Sequence, residues 1–203
     1  MEIEAKYRIS EADLLQMAGL TELAGYTLRA RPAAELQRNT YFDSADRRLT
    51  AAHYGLRVRR VGPHARVTLK GPAEVSERGV HQRAEYEFPG SSPDPQHWPN
   101  EEARDLALAL LRGAELVQLL TIDTERLIRY AVRDGVDVAE IALDRGIIRA
   151  GERTELICEL EIELLPAGEP SDIDTLAAAF AEHGTLTPEM RSKLQRGMAL
   201  LDG

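Results

Sequence analysis

Alternation of polar and apolar residues dominates this chain. In "EIEAKYRI", Glu2, Glu4, Lys6 and Arg8 fall on one side of an extended backbone, and Ile3, Ala5, Tyr7 and Ile9 fall on the other. The same period of two recurs at 27–42, 55–60, 65–70, 81–88, 123–132, 137–144 and 156–164. Turn-forming pieces such as "VGPHA" and "DRGIIRAGERTE" separate several of these runs. The spacing predicts an antiparallel meander, closed or nearly closed into a barrel. Helical signals interrupt it. Ser10 with Asp13 opens a helix over 11–20, and Asn100 caps one over 101–113 after the loop "PGSSPDPQHWPN". Ser171 with Asp174 opens another, ending near Gly184, and Thr187 with Pro188 opens a last one over 188–201. Gly197 inside that helix marks close packing. The class is α+β, one domain over 1–203, with helices bracing the barrel from outside.

The polar faces of the strands are sorted by charge. Arg57 and Arg59 share one face, Arg66, Thr68 and Lys70 another, and Arg83, Glu85 and Glu87 a third. Glu140 and Asp144 lie on one side of "AEIALD", and Glu159, Glu161 and Glu163 alternate with Cys158, Leu160, Ile162 and Leu164. A single amphipathic strand with a wet face is ordinary. The series is not, because glutamate is a poor strand former and glutamates aligned along one strand repel one another. A divalent cation relieves that repulsion, since Mg²⁺ takes oxygen ligands and keeps waters and phosphates in its shell. Guanidinium forks and lysines match phosphate oxygens. A lumen holding both sets suits a metal–polyphosphate complex.

Composition narrows this further. A formal net charge of −9 opposes a general affinity for duplex nucleic acid or anionic membranes, so a bound anion needs the basic residues gathered in one place. Cys158 is the one cysteine, which rules out an intrachain disulfide and fits a reducing compartment. No signal peptide or apolar span of bilayer length is read, and the cytoplasm is the expected location. The five histidines lack zinc-site spacing, and neither a dinucleotide-binding fingerprint nor a P-loop is present. Trp98 is expected to anchor its loop, and Asp43 and Asp46 to shape a turn.

The motifs "EIEAK", "YFDSADRRL" before "GLRVRR", "VTLK", "RAEYE", "TERLIRY", "ALDRG", "ELEIEL" and "RSKLQRG" follow one another along nearly the whole chain. In that order they resemble the CYTH superfamily, the triphosphate tunnel metalloenzymes, and bacterial inorganic triphosphatases in particular. The resemblance implies an eight-stranded antiparallel tunnel with a charged bore, acting on triphosphates with Mg²⁺ or Mn²⁺. By the same resemblance, Glu2, Glu4, Glu159 and Glu161 are the metal-side carboxylates. Lys6, Arg57, Arg59, Lys70, Arg83 and Arg126 are phosphate-binding, and Lys193 belongs to a C-terminal helix that can close the tunnel. Glu85, Glu87, Asp144 and Glu163 are further tunnel carboxylates. Glu4, Glu161 and Lys193 are the candidates for catalytic roles, with Glu161 able to position or deprotonate the attacking water. His53 and Tyr54 depart from the family pattern, and Arg129 falls on the opposite strand face and is left out.

The expected reaction is metal-dependent hydrolysis of inorganic tripolyphosphate to pyrophosphate and phosphate by a monomer or homodimer. Alternatives on the same fold are a class IV adenylyl cyclase, a thiamine triphosphatase, and a non-catalytic module that binds nucleotide or polyphosphate. Ile3, Ala5, Tyr7 and Ile9 are expected to face the helices, with "EIEAK" turned toward the tunnel.

Overall fold

A computed structural model describes residues 2–75 and 80–203, with side chains for 3–72 and 84–203. In chain order the elements are β1 (Glu2–Arg8), α1 (Glu11–Ala18), β2 (Glu22–Leu23), β3 (Tyr26–Ala30), β4 (Glu35–Ser44), α2 (Arg48–Ala51), β5 (Gly55–Val61) and β6 (His64–Val75). They continue as β7 (Val80–Pro89), a 3₁₀ turn (Pro95–His97), α3 (Glu101–Leu111), β8 (Leu116–Arg133), β9 (Val136–Ala150), β10 (Arg153–Leu164), α4 (Pro170–Phe180), β11 (Thr187–Pro188) and α5 (Lys193–Asp202).

Eight strands pair around a ring: β8, β4, β5, β6, β7, β1, β10, β9 and back to β8. Every described ladder in it is antiparallel. The other three strands lie off the ring. β3 carries β2 and shares one edge of β8 with β4, pairing at 129–132 where β4 pairs at 116–126. The alternation over 27–42 therefore resolves into two strands, broken near Pro32, which cannot donate to a ladder. The piece "DRGIIRAGERTE" is mostly strand. β9 runs to Ala150 and β10 restarts at Arg153, with Gly151 at φ 59° supplying the left-handed turn.

Helices α1 and α4 cover the outward row of β1, β9 and β10. Ala5, Tyr7 and Ile9 pack with Leu14, Met17, Ile173, Leu176 and Phe180, and Cys158 is half-buried against them. Helices α2 and α3 cover the outward row of β5 and β6, with Leu56, Val58, Leu69, Ala103 and Ala107 packed beside Phe88 and Trp98. Asp43 accepts from the Leu49 and Thr50 amides at 2.9 and 2.8 Å, fixing the turn into α2.

Helix α5 differs from the rest, because it packs on the inward rows. These rows change character along each strand. Glu161 and Glu159 give way to Ile157, Asp144 and Gly146 to Ile148, and Arg126 and Thr124 to Ile122. Met198, Leu194 and Leu201 of α5 meet Ile122, Ile148 and Ile157 there and stopper one end of the ring. A Cβ on Gly197 would stand 2.6 Å from Leu120 Cδ2 and 3.1 Å from Ile148 Cγ2, so any larger residue would force these buried side chains to shift. The helix is also shorter than its sequence suggested. Thr187 and Pro188 pair with β1, the Glu189 amide donates to the Lys6 carbonyl at 2.9 Å, and the helix starts only at Lys193. The Ser192 hydroxyl caps it, accepting from the Gln195 amide at 3.1 Å, while the Gln195 side chain accepts from the Ser192 amide at 2.7 Å. Helix α4, by contrast, starts earlier than expected, capped by Glu169 with Pro170 in its first turn, and ends at Phe180.

Candidate functional site

The ring encloses a cavity of about 900 Å³. The alternation of β1 decides what faces it: Glu4 and Lys6 line the cavity while Ala5 and Tyr7 lie in the outer core. Glu4 and Lys6 are 4% and 2% exposed, and the Lys6 Nζ stands 3.4 Å from Glu4 Oε1. Cross-strand register stacks the charges in tiers. Glu4 lies beside Glu163, which lies beside Glu140; Lys6 lies beside Glu161; Arg8 lies beside Glu159, then Asp144, then Arg126.

One wall is acidic and already filled with cations. Oxygens of Asp144, Glu159 and Glu161 lie within 4.8 Å of one another, and all three residues are buried. The Lys193 ammonium stands among them, 3.0 Å from Asp144 Oδ2 and 2.6 Å from both Glu159 Oε2 and Glu161 Oε1. Arg126 grips Asp144 with two bonds of 2.7 Å and also donates to Glu161. Burial alone would push the Glu161 and Asp144 carboxyls up. Lys193 and Arg126 reverse this, holding Glu161 well below the usual carboxylate range, and Arg126 and Lys193 likewise hold Asp144 low. The same contacts hold Arg126 and Lys193 well above their ordinary values despite burial.

The opposite wall is basic and underpaired. Arg57 is 7% exposed; its Nη2 donates to Thr68 Oγ1 at 3.2 Å and sits 3.9 and 3.7 Å from Glu85 and Glu87, while its buried Nε has no hydrogen-bond partner among the described residues. Arg59 donates from Nε to Asn39 Oδ1 at 2.9 Å. Burial, reinforced by Arg57 and Arg126, pulls the Arg59 guanidinium down to about 10. Lys70 pairs with Glu85 at 3.2 Å, and Glu87 pairs with Arg66 at 2.6 Å; Arg57 first, then Arg66, hold the Glu87 carboxyl low against its burial.

The sequence-predicted residues are thus distributed over one cavity. Glu4, Lys6, Arg57, Arg59, Lys70, Glu85, Glu87, Arg126, Asp144, Glu161, Glu163 and Lys193 line it, and Glu159 is fully buried against Lys193. The side chains of Glu2 and Arg83 lie outside the described residues. The compact acidic group comprises Asp144 with Glu159 and Glu161, whereas Glu4 stands with Lys6. Arg129, on the outer face, donates to the Ala18 carbonyl.

Three contributors have no site role assigned from the sequence, although Glu140 is placed there on the charged face it shares with Asp144. Tyr41 lines the cavity, and although burial raises its phenol, Arg57, Lys70, Arg59 and Lys193 bring it below its ordinary value. It continues the inward row of Gln37 and Asn39, a signal present in "QRNTYF". Glu140 lines the cavity with its carboxyl pushed up by burial, Arg126 opposing. Arg196 is 2% exposed and bonds Glu155 Oε1 at 2.8 Å, Glu159 Oε1, and the Leu156 carbonyl at 3.2 Å. Its place one helical turn after Lys193 was the available signal.

The CYTH domain family matches residues 1–198. The chain belongs to this family. A curated protein of Haemophilus influenzae named inorganic triphosphatase is 29% identical over 163 residues, a match covering 80% of this CYTH chain and 45% of the relative. The chain thus spans about half the length of that relative. Among solved structures, a Hippeastrum protein named HpAC1, described as revealing a dominant triphosphatase activity, aligns with a TM-score of 0.67 at 21% identity over 98% of this chain and 96% of its own. The PH1819 protein of Pyrococcus horikoshii OT3 aligns with a TM-score of 0.64 at 21% identity over 98% and 99%. At these identities the two structures show the fold of this CYTH chain. No helix among the described residues is long and apolar enough to cross a membrane.

Proposed function

We propose that this CYTH protein is a cytoplasmic, metal-dependent triphosphatase that hydrolyses inorganic tripolyphosphate to pyrophosphate and phosphate. The observation that carries the reading is the pair of opposed walls: an underpaired guanidinium wall across one cavity from a buried cluster of three carboxylates. The donor set fits a hard divalent cation, since all its atoms are carboxylate oxygens, and Mg²⁺ or Mn²⁺ would be held by Asp144, Glu159 and Glu161. When bound, such a cation neutralises phosphate charge and polarises the phosphorus centre.

The remaining work falls to the chain's own groups. Arg57, Arg59 and Lys70 take the phosphate oxygens from one side, and Lys6 and Arg126 from the other, holding the chain of phosphates in line for displacement. Glu161, kept strongly acidic by Lys193 and Arg126, suits ligation and the orientation of water better than removal of its proton. Glu4, Glu163 and Glu140 crowd one tier and orient water there by accepting its hydrogens. Tyr41, with its phenol lowered among the cations, donates to a phosphate oxygen. The Haemophilus influenzae relative's name supports the choice of inorganic substrate.

A second reading rests on the size of the cavity. About 900 Å³ exceeds the need of a bare tripolyphosphate, and His53, Tyr54 and Met198 are on its lining, which favours an organic triphosphate. A panel of tripolyphosphate, ATP, thiamine triphosphate and pyrophosphate with Mg²⁺ or Mn²⁺, assayed for phosphate and cyclic AMP, separates the readings. Rapid phosphate release from tripolyphosphate is expected. Cyclic AMP as main product would replace hydrolysis by cyclisation, and tight binding without turnover would leave a binding module.

A further inference from the structure

Helix α5 sends two cations into the acidic cluster, and their surroundings differ. Among the described residues, the ion pairs of Lys193 Nζ are with the three carboxylates, Asp144, Glu159 and Glu161, at 2.6–3.0 Å. Arg196 approaches Glu159 through the other oxygen, Oε1, and is itself held by Glu155 at 2.8 Å and by the Leu156 carbonyl at 3.2 Å. Glu159 is fully buried, so its two oxygens are divided: one faces the cluster and the other is taken by the arginine.

We infer that the two cations of α5 act in opposite directions on divalent-metal binding: Lys193 is an internal competitor for the carboxylates, and Arg196 is a positioning residue that presents Glu159 to the metal. This rests on the reading of Asp144, Glu159 and Glu161 as the metal-binding group. Lys193 and a divalent cation need the same oxygens, so metal entry exchanges one for the other. The flexible, unbranched lysine stem suits that exchange, and the released ammonium stays within the cavity it lines, free to meet a phosphate. Arg196 needs no such movement. Its fork is fixed at both ends on β10, at Glu155 and Glu159, and it leaves Glu159 Oε2 directed into the cluster. Groups that orient a metal-binding carboxylate from behind set its affinity. Charge alone predicts that removing either cation strengthens metal binding; a purely structural role for α5 predicts that removing either weakens it.

The test is Mn²⁺ affinity without substrate, read by electron paramagnetic resonance of free Mn²⁺, on the full chain, with melting curves alongside. Lys193→Met is expected to tighten Mn²⁺ binding about tenfold, as its charge-assisted contacts are lost. Arg196→Met is expected to weaken it about tenfold. Glu155→Gln, which loosens the same arginine on its partly exposed side, is expected to lower the melting temperature slightly and leave Mn²⁺ affinity within about twofold. If Arg196→Met does not fold, Arg196→Lys keeps the charge and loses the fork, and is expected to weaken Mn²⁺ binding about threefold or more. Shifts of the same sign in the Lys193 and Arg196 variants, or an unchanged affinity in either, overturn the inference while leaving the metal reading standing. Wild-type protein that binds no Mn²⁺ sinks the metal reading itself, and the inference with it.

Discussion

The two walls of the cavity solve the problem of buried charge differently. On β8, β9 and β10, Asp144, Glu159 and Glu161 are neutralised from within the chain by Arg126, Lys193 and Arg196. On β5, Arg57 and Arg59 share one face, with an Arg57 Nε that has no hydrogen-bond partner among the described residues and an Arg59 guanidinium pulled down to about 10. The first wall is complete without a ligand and must exchange partners to accept one. The second is incomplete and gains from any anion that enters. On the proposed reading, one cavity combines a site that resists its cation with a site that attracts its anion. This favours a ligand that brings both charges together, such as a metal–triphosphate complex, over either alone.

The largest expected effect comes from breaking the complete wall. Glu161→Gln takes one carboxylate from both Lys193 and Arg126, and removing one member of a buried ionic group costs about 3–5 kcal/mol. A fall in ligand-free stability of that order, measured by urea denaturation, is expected together with loss of Mn²⁺ binding. A change under 1 kcal/mol would show that the ion assembly is solvated and not self-neutralised.

Arg57→Ala and Arg59→Ala act on the incomplete wall. Each is expected to cost about 1.5–3 kcal/mol in tripolyphosphate binding by calorimetry, with the fold intact. Unchanged affinity in both variants would reduce this wall to a solvated strand face.

Arg59→Met sharpens the contrast by stability alone. The folded state holds Arg59 below its unfolded value, so burying the charge opposes folding at every pH below about 10. The ligand-free melting temperature should rise by a few degrees, about 1 kcal/mol in equivalent, and tripolyphosphate should stabilise the variant less than the wild type. A lower ligand-free melting temperature would mean that the Asn39 contact outweighs the crowding.

Acid titration gives the smallest and most detailed effect. Glu161 and Asp144 are lowered on folding, so the unfolded chain takes up protons first, and their stability is present above the ordinary carboxylate range and lost as pH falls below it. Glu140 is raised, so the folded state takes its proton first and gains stability as pH falls through that raised value. Melting temperature against pH should therefore show a slight rise on mild acidification and then a decline. Glu140→Gln should remove the rise and keep the decline; persistence of the rise would assign it to another group.

Much of this protein was legible in the sequence. The period of two sets which face of each strand a side chain takes, and that alone placed Glu4, Lys6, Arg57, Arg59, Asp144 and Glu161 toward one lumen and Ala5, Tyr7 and Cys158 toward the helices. Strand faces are local, fixed by backbone geometry, so they survive without knowledge of the partner strand. Helix α1 and helix α3 were legible for the same reason, since Ser10 and Asn100 cap by contacts three residues long. What lay beyond reach was long-range. Pro188 reads locally as a helix start, but pairing of Thr187 and Pro188 with β1 competes for that stretch and delays α5 to Lys193. The turn to apolar residues at Ile122, Ile148 and Ile157 was in the sequence, but only the closing of the ring makes these neighbours and gives α5 an end to stopper. Register across strands, not spacing along them, joined Asp144 to Glu159 and left Glu4 with Lys6. Arg196 became meaningful only once the helix carrying it was set inside the ring. The sequence determined which charges face inward; the tertiary structure decided which of them meet, because distances between strands depend on pairings that no local pattern encodes.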